Sequence, residues 1–399
     1  VISWQCERTK PVMDNIDKYM HLNDIFSVTG LQPYSFNTIN KLIWFKENKP
    51  EILESMHKFL FIPSIFIYFL TGEMVNDATM AGTSMLTELS SQDYSKDIFD
   101  TIGVDPAKLC PLARPGEIAG KVTGKASAET GIPVNTPVIL AGHDTQFAIF
   151  GSGASENQPV LSSGTWEILM VRSKEYSTQN KTFNSGITTE FDAVHGLYNI
   201  GIMYVSSGIV EWVKKNFYSE EKDDTVYNTM INEALDIPAG SKGTMFYPEF
   251  FSETGSGMGS ITGISMDTTR GQIFRACIES LSFKSRQSLD LLQEAGNFKA
   301  DSIICVGGGS KNMLWNRIRA DVTGIPVKLI SQKETTVLGA ALFAIYGTGD
   351  YNNPDEVRSL INYNEQVIEP SPESKMYQDY YEKYLLLHND LNQTYRKLT

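Results

Sequence analysis

Four cysteines, Cys6, Cys110, Cys277 and Cys305, stand far apart in the chain and form no Cys-x-x-Cys pair. Neither a zinc site nor a disulfide framework is suggested, and the pattern reads as reduced thiols in a cytoplasmic protein. Histidine is also scarce: His21, His57, His143, His195 and His388 are scattered, with no His-x-x-x-His spacing and no paired carboxylates to complete a metal cage. No protein-held metal is expected, and a metal would arrive with a phosphate. Basic residues are outnumbered, 34 Lys and Arg against 47 Asp and Glu, for a net charge of −13 without a basic stripe. That excludes a nucleic-acid partner, which needs clustered cations. The longest apolar run, Phe59 to Leu70, contains Pro63 and is too short to cross the roughly 30 Å core of a bilayer. It reads as a buried helix, with no membrane partner. No charged-then-apolar leader opens the sequence, and the start on Val1, within strand-like residues to Trp4, reads as internal.

What is present is ordinary folded-protein material: 41% hydrophobic, 11% aromatic and 20% charged residues. A chain of 399 residues exceeds one ordinary core, so two large domains are expected. The polar connection from Ala154 to Gln158 places their boundary, giving residues 1–156 and 157–399.

The stretch from Pro137 to Val171 organises the rest. Val138 to Ala141 is a short apolar run bounded by Pro and Gly, as a buried strand is, and Gly142, His143, Asp144 and Thr145 follow at its end. An acid at a strand end faces the edge where α/β sheets hold ligands. Asp144 is equally readable as a helix N-cap, and His143 as a ring that orients Asp144. A second strand, Val160 to Ser162, turns through Ser163, Gly164 and Thr165 into a return strand, Trp166 to Val171. Backbone N–H groups and hydroxyls in that turn can bind phosphate oxygens without a positive charge, although an ordinary hairpin turn explains them in isolation.

Elsewhere the first half reads as helices: one carrying Val12, Ile16 and Met20, one from Thr38 to Asn48, the Phe59 to Leu70 run, and one from Gln92 to Gly103. Asp77 and Thr79 could face a ligand, but capping a turn is the commoner use of both residue types. In the second half Tyr198 to Phe217 carries apolar residues in helical register, and a long glycine-rich connection runs from Phe246 to Gly263. A helix from Thr269 to about Glu294 leads to a strand, Ile303 to Val306, and then to Gly307-Gly308-Gly309-Ser310-Lys311-Asn312 before a helix from Met313. A glycine turn between strand and helix lets backbone approach an anion. Its spacing matches neither standard nucleotide motif, and a tight turn capped by Ser310 is the competing reading.

Taken together, these motifs resemble the FGGY sugar kinases over most of the chain. The resemblance is carried by Trp4-Gln5-Cys6-Glu7-Arg8-Thr9, Leu70-Thr71-Gly72-Glu73, Met80-Ala81-Gly82-Thr83-Ser84, Ala141-Gly142-His143-Asp144-Thr145-Gln146-Phe147, Ser162-Ser163-Gly164-Thr165-Trp166, Val306-Gly307-Gly308-Gly309-Ser310 and Glu334-Thr335-Thr336. It implies two actin-like (ribonuclease H-like) ATPase domains, each built around a five-stranded mixed sheet and closing over ATP, Mg2+ and a ketose. It implies Asp144 as catalytic base, His143, Thr145, Trp4 and Arg8 beside the sugar, and Ser163, Gly164, Thr165, Gly307, Gly308, Gly309 and Ser310 on ATP. The implied reaction is phosphorylation of L-fuculose to L-fuculose 1-phosphate, with L-rhamnulose or D-xylulose as rival substrates and a non-catalytic sugar or nucleotide sensor as the rival class. A homo-oligomer is left open. Three departures stand out: Cys6 where members usually carry Asp, Arg317 where Gln is expected, and no Asp-x-Gly-Thr-like phosphate loop, so the first domain reads as truncated at its N-terminus.

Overall fold

The computed structural model describes residues 2–222, 225–250 and 257–398. The first half is a helical assembly with short strands. Helices α1 (Leu22–Thr29), α2 (Thr38–Asn48) and α5 (Lys96–Ile102) enclose a core of Ile25, Ile39, Leu42, Ile43, Ile98, Phe99 and Ile102. Between α2 and α5 lie α3 (Ile62–Thr71) and the single turn α4 (Ala78–Ala81). Strand β1 (Asn76–Asp77) pairs in parallel with β2 (Leu112–Ala113), and β3 (Ile118–Lys121) pairs antiparallel with β4 (Pro137–Ile139). The helix α6 (Asp144–Gly151) follows β4.

The second half is organised by one mixed sheet of seven strands. In chain order these are β5 (Val160–Ser163), β6 (Trp166–Ser173), β7 (Thr188–Phe191), β8 (Tyr198–Val205), β9 (Ile303–Val306), β10 (Val327–Leu329) and β11 (Gln366–Ile368). Across the sheet they run β11, β10, β9, β5, β6, β8, β7. Strands β5, β9 and β10 are parallel, the other pairings antiparallel. Helices α7 (Ser207–Phe217), α8 (Arg270–Ala295), α9 (Met313–Thr323), α10 (Thr335–Tyr346) and α11 (Ser374–Leu398) are the longer helices of this half. The 26-residue α8 is buried on several sides, with Phe274, Cys277, Ile278 and Leu281 among its fully buried residues.

Several sequence expectations are corrected here. A five-stranded sheet was expected in each half; the second has seven strands, and the described strands of the first form only two-stranded pairs. The strand expected at Val1 to Trp4 is absent from its described residues, 2–4. The Phe59 to Leu70 helix begins at Ile62, because Pro63 lacks an N–H and fits only the first turn, while Phe59 forms an isolated bridge with Leu109. The Gln92 to Gly103 helix begins at Lys96, where Ser95 caps it by accepting from the Ile98 N–H; Asp93 and Tyr94 pair with the strand before them. Tyr198 to Phe217 is two elements. Its first eight residues are β8, whose aromatic and β-branched side chains suit a sheet buried on both faces, and Ser206 breaks the chain before α7. The connection from Phe246 to Gly263 is partly strand, Met245–Tyr247 pairing with Ser260–Thr262; Gly255 lies outside the described residues. No described helix is long and apolar enough to cross a membrane.

Candidate active site

Asp144 opens α6, one position inside the cap: His143 is the N-cap and Asp144 the first helical residue. Its Oδ1 accepts from the Thr145 N–H at 2.9 Å, and the side chain is 79% exposed, so the carboxylate is available to a ligand. Thr145 is half-buried behind it. Gly142 is needed just before, since a Cβ there would overlap the carboxylate of Asp77. Asp77 is fully buried, caps α4 by accepting from the Met80 N–H at 2.9 Å, and also accepts from the Thr79 hydroxyl. The Thr79 Oγ1 in turn accepts from the His143 N–H at 2.8 Å. The capping reading of this pair is therefore the right one: both residues are fully buried, and besides capping the turn they fix the backbone that carries Asp144 rather than facing a ligand. Burial pushes the Asp77 carboxyl above the ordinary range, against the opposing effect of its hydrogen bonds.

His143 is surrounded by carboxylates. Its Nε2 lies 3.6 Å from Asp144 Oδ1 and its Nδ1 lies 3.4 Å from Glu190 Oε2 on β7. Burial pushes the imidazole down, but Glu190, with Asp144 and Asp77, outweighs it and the net shift is upward. Glu190 also accepts from the Gln146 amide; Gln146 accepts from Asn199 on β8; Asn199 donates to Asp192 at 2.9 Å; and Asp192 forms a buried pair with Arg172 at 3.0 Å. A polar chain thus runs from Asp144 through the sheet of the second half. Glu190 and Gln146 were not singled out from sequence. The available signal was positional: Gln146 sits one turn after His143.

Behind α6 the contact is with α10. Phe147 and Phe150 pack on Leu342 and Phe343, and a Cβ on Gly151 or Gly339 would overlap backbone of the facing helix. Further along, Ile149 and Ala154 join Val160, Met170 and Ile304 in one cluster.

The two turns expected to meet phosphate are brought together. Strands β5 and β9 are neighbours in parallel register, Ser162 opposite Val306, so the Ser163 to Thr165 turn and the Gly307 to Ser310 turn leave the same sheet edge. Gly307 has φ +88°, and a Cβ there would stand 2.6 Å from the Ser163 carbonyl oxygen. Ser163 itself faces inward: its hydroxyl donates to Glu167 at 2.6 Å and accepts from Arg319 at 2.9 Å. Arg319 and Glu167 form a buried ion pair, and Tyr204 donates to the other oxygen of Glu167 at 2.9 Å. This pair, also missed from sequence, supports the turn from beneath. Breaking such a pair costs about 3–5 kcal/mol because one charge is left buried alone. Thr165 and Gly308 are exposed, and nothing lies within 4 Å of where a Gly308 Cβ would be. Ser310 closes its own turn, donating to the Gly307 carbonyl at 2.7 Å. A turn bare of side chains, with its hydroxyls engaged internally, leaves backbone and open space for an anion; these residues fit a nucleotide phosphate. Among the described residues no group of three His, Cys, Asp or Glu is placed to hold a metal ion.

Trp4 and Arg8 are near one another in the chain, but no described contact joins either to His143 or Asp144. Trp4 is 67% exposed, while Arg8 donates to the Cys6 thiol at 3.0 Å and lies over the Trp44 ring.

Comparison with known proteins identifies the family. The sequence model of the FGGY family of carbohydrate kinases, N-terminal domain, matches residues 1–151, and that of the C-terminal domain matches residues 160–348. The chain is 43% identical over 380 residues to L-fuculokinase of Escherichia coli (strain K12), covering 95% of this chain and 79% of that one. It is 41% identical over 373 residues to L-fuculokinase of Haemophilus influenzae, covering 93% and 77%. Among solved structures, xylulose kinase from Rhodospirillum rubrum superposes with a TM-score of 0.87 at 23% identity, covering 96% of this chain and 78% of that one, which bears on the fold. Two family models that together span most of the chain, and relatives above 40% identity, lead to one conclusion: the chain belongs to the FGGY family of carbohydrate kinases, with that family's two-domain, actin-like fold.

Proposed function

We propose that the protein phosphorylates L-fuculose from ATP, giving L-fuculose 1-phosphate, with Asp144 as the base. The observation that carries the chemistry is the exposed Asp144 carboxylate at the start of α6, flanked by His143, whose backbone N–H is pinned by the Thr79 hydroxyl. The similarity to L-fuculokinases over nearly the whole chain supports the choice of ketose.

A primary hydroxyl is a weak nucleophile at neutral pH. Asp144, within hydrogen-bond reach of it, orients the hydroxyl and accepts its proton as the new P–O bond forms. His143 and Thr145 line the same edge and bind neighbouring sugar hydroxyls, with Trp4 and Arg8 assigned to the sugar by the family motif. Bound ATP supplies the phosphoryl group, and a divalent ion such as Mg2+ accompanies its phosphates. Thr165, Gly164 and the backbone at Ser163 hold phosphate oxygens on one side, and Gly307, Gly308, Gly309 and Ser310 on the other. We place the domain division between residues 156 and 157, so that the base and the phosphate turns come from different domains. We leave both the monomer and a homo-oligomer compatible with this scheme.

Initial rates on L-fuculose, L-rhamnulose, D-xylulose and D-ribulose, with ADP release coupled to NADH oxidation, test the proposal. The expected result is the highest kcat/KM for L-fuculose. A higher value for another ketose replaces the substrate but keeps the kinase; nucleotide and sugar binding without turnover of any ketose overturns catalysis in favour of a sensor.

A further inference from the structure

The polar chain behind His143 assigns a role to a residue that the family motif does not contain. Building on the reading of Asp144 as base, we propose that Glu190 is a positioning residue for Asp144: it grips Nδ1 of His143 so that Nε2 faces the Asp144 carboxylate.

The geometry supporting this comes from four elements. The His143 ring is only 23% exposed and lies between Glu190 on β7 and Asp144 on α6, at 3.4 and 3.6 Å from opposite ring nitrogens. Glu190 is itself held by the Gln146 amide, which is fixed by Asn199 of β8. The backbone N–H of His143 is pinned by Thr79 of α4. The backbone that carries the ring and the carboxylate beside it are thus both anchored. The groups facing the imidazole are the carboxylates of Asp144, Glu190 and Asp77, with Gln146 as the neutral neighbour. The nearest cation along the chain, Arg172, is already paired with Asp192.

Three carboxylates around one half-buried ring favour the imidazolium. The favoured state has a consequence for Asp144. When both nitrogens carry protons, one N–H points at Glu190 and the other at Asp144. When the ring loses a proton it keeps the one on Nδ1, beside Glu190, and presents the Nε2 lone pair to a carboxylate. Repulsion then turns Asp144 away from the hydroxyl it must meet. Glu190 acts at one remove, through the ring, and touches no substrate.

The test follows the five histidine Cε1–H resonances of the purified protein by NMR from pH 5 to 9, with His143 identified by its loss in His143→Gln. In the unsubstituted protein the His143 midpoint is expected above that of an ordinary histidine. In Glu190→Gln it is expected to drop by at least about one pH unit, the usual size of losing an adjacent charge. Glu190→Asp, which keeps the charge, should retain most of the elevation and supplies the comparison if the Gln variant folds poorly. The kinetic readout is the alkaline limb of kcat for L-fuculose phosphorylation, which should move down with the NMR midpoint while KM changes less. An unmoved midpoint in Glu190→Gln, or a loss of rate equal at every pH, overturns the proposal. If the unsubstituted protein turns over no ketose, the kinase reading fails on its own account, and the NMR midpoints decide whether Glu190 governs His143.

Discussion

The backbone N–H of His143 donates to the hydroxyl of Thr79 at 2.8 Å, across 64 positions of sequence. This bond fixes the chain where β4 passes into α6, one residue before the proposed base. Thr79→Val keeps the shape but removes the acceptor, leaving a partly buried N–H unpaired at a cost of about 1–3 kcal/mol. We expect kcat for L-fuculose to fall by about tenfold or more as Asp144 drifts. Unchanged kcat for the Thr79→Val enzyme in the same coupled assay shows that the bond serves folding alone.

Asp144→Asn isolates the base from the helix start. The amide oxygen of Asn still accepts from the Thr145 N–H, so α6 should begin as before. Loss of the proton acceptor should lower kcat by at least about a hundredfold, with sugar affinity little changed. Single-turnover kinetics beside a calorimetric sugar titration separates the two; near-normal turnover sinks the assignment.

Asp77 carries a pH signature of opposite sign to that of a charge-paired carboxylate. Its folded carboxyl binds a proton more tightly than the unfolded one, whose value is 3.8. The stability this contributes is fully present below that value and is lost as pH rises through the folded value. Asp77→Asn lacks this dependence. The urea midpoint of the parent relative to Asp77→Asn should therefore be most favourable near pH 4 and decline toward pH 7. A difference that is flat across this range contradicts the assignment of burial as the governing effect.

Cysteine labelling reads the first turn of the chain. Cys110, Cys277 and Cys305 are buried, and burial raises each thiol, Cys305 to about 11. Cys6 is partly exposed, and hydrogen bonds from the Arg8 backbone and side chain lower it. Iodoacetamide at pH 7.5 should modify Cys6 first, as seen by peptide mass analysis, and Arg8→Ala should slow that reaction. Faster modification of any other cysteine refutes the exposure and charge described for this segment.

The parts of the site that were legible in sequence are those where backbone chemistry forces the residue. Gly142 must lack a side chain beside Asp77, and Gly307 must accept φ +88° against Ser163, so each leaves a glycine punctuating a motif. The supporting residues were not legible, because Glu190, Gln146, Glu167 and Arg319 meet only after β5 to β9 have assembled. Nothing local marks Glu190, three residues into a strand that pairs with β8 on one side. The failure at Tyr198 to Phe217 has a related cause. Strand β8 lies between β6 and β7 and is buried along most of its length; its last residues, Ile202 to Val205, are continuously apolar, so the alternation fades there and they merge with the helix that follows.

The crossing of α6 and α10 sets a ruler inside the molecule. At Gly151 and Gly339 the two helices touch through main chain, with no side chain between them. Side-chain contacts compress and repack when neighbours change; a main-chain contact cannot shorten, and nothing at these two points can be trimmed to relax it. The spacing between the helix that presents Asp144 and the second half is therefore a fixed dimension of the backbone. Substitutions in the surrounding aromatic core should loosen the protein without altering that length, whereas one methyl group at either glycine, Gly151→Ala or Gly339→Ala, displaces the carboxylate from the phosphate turns.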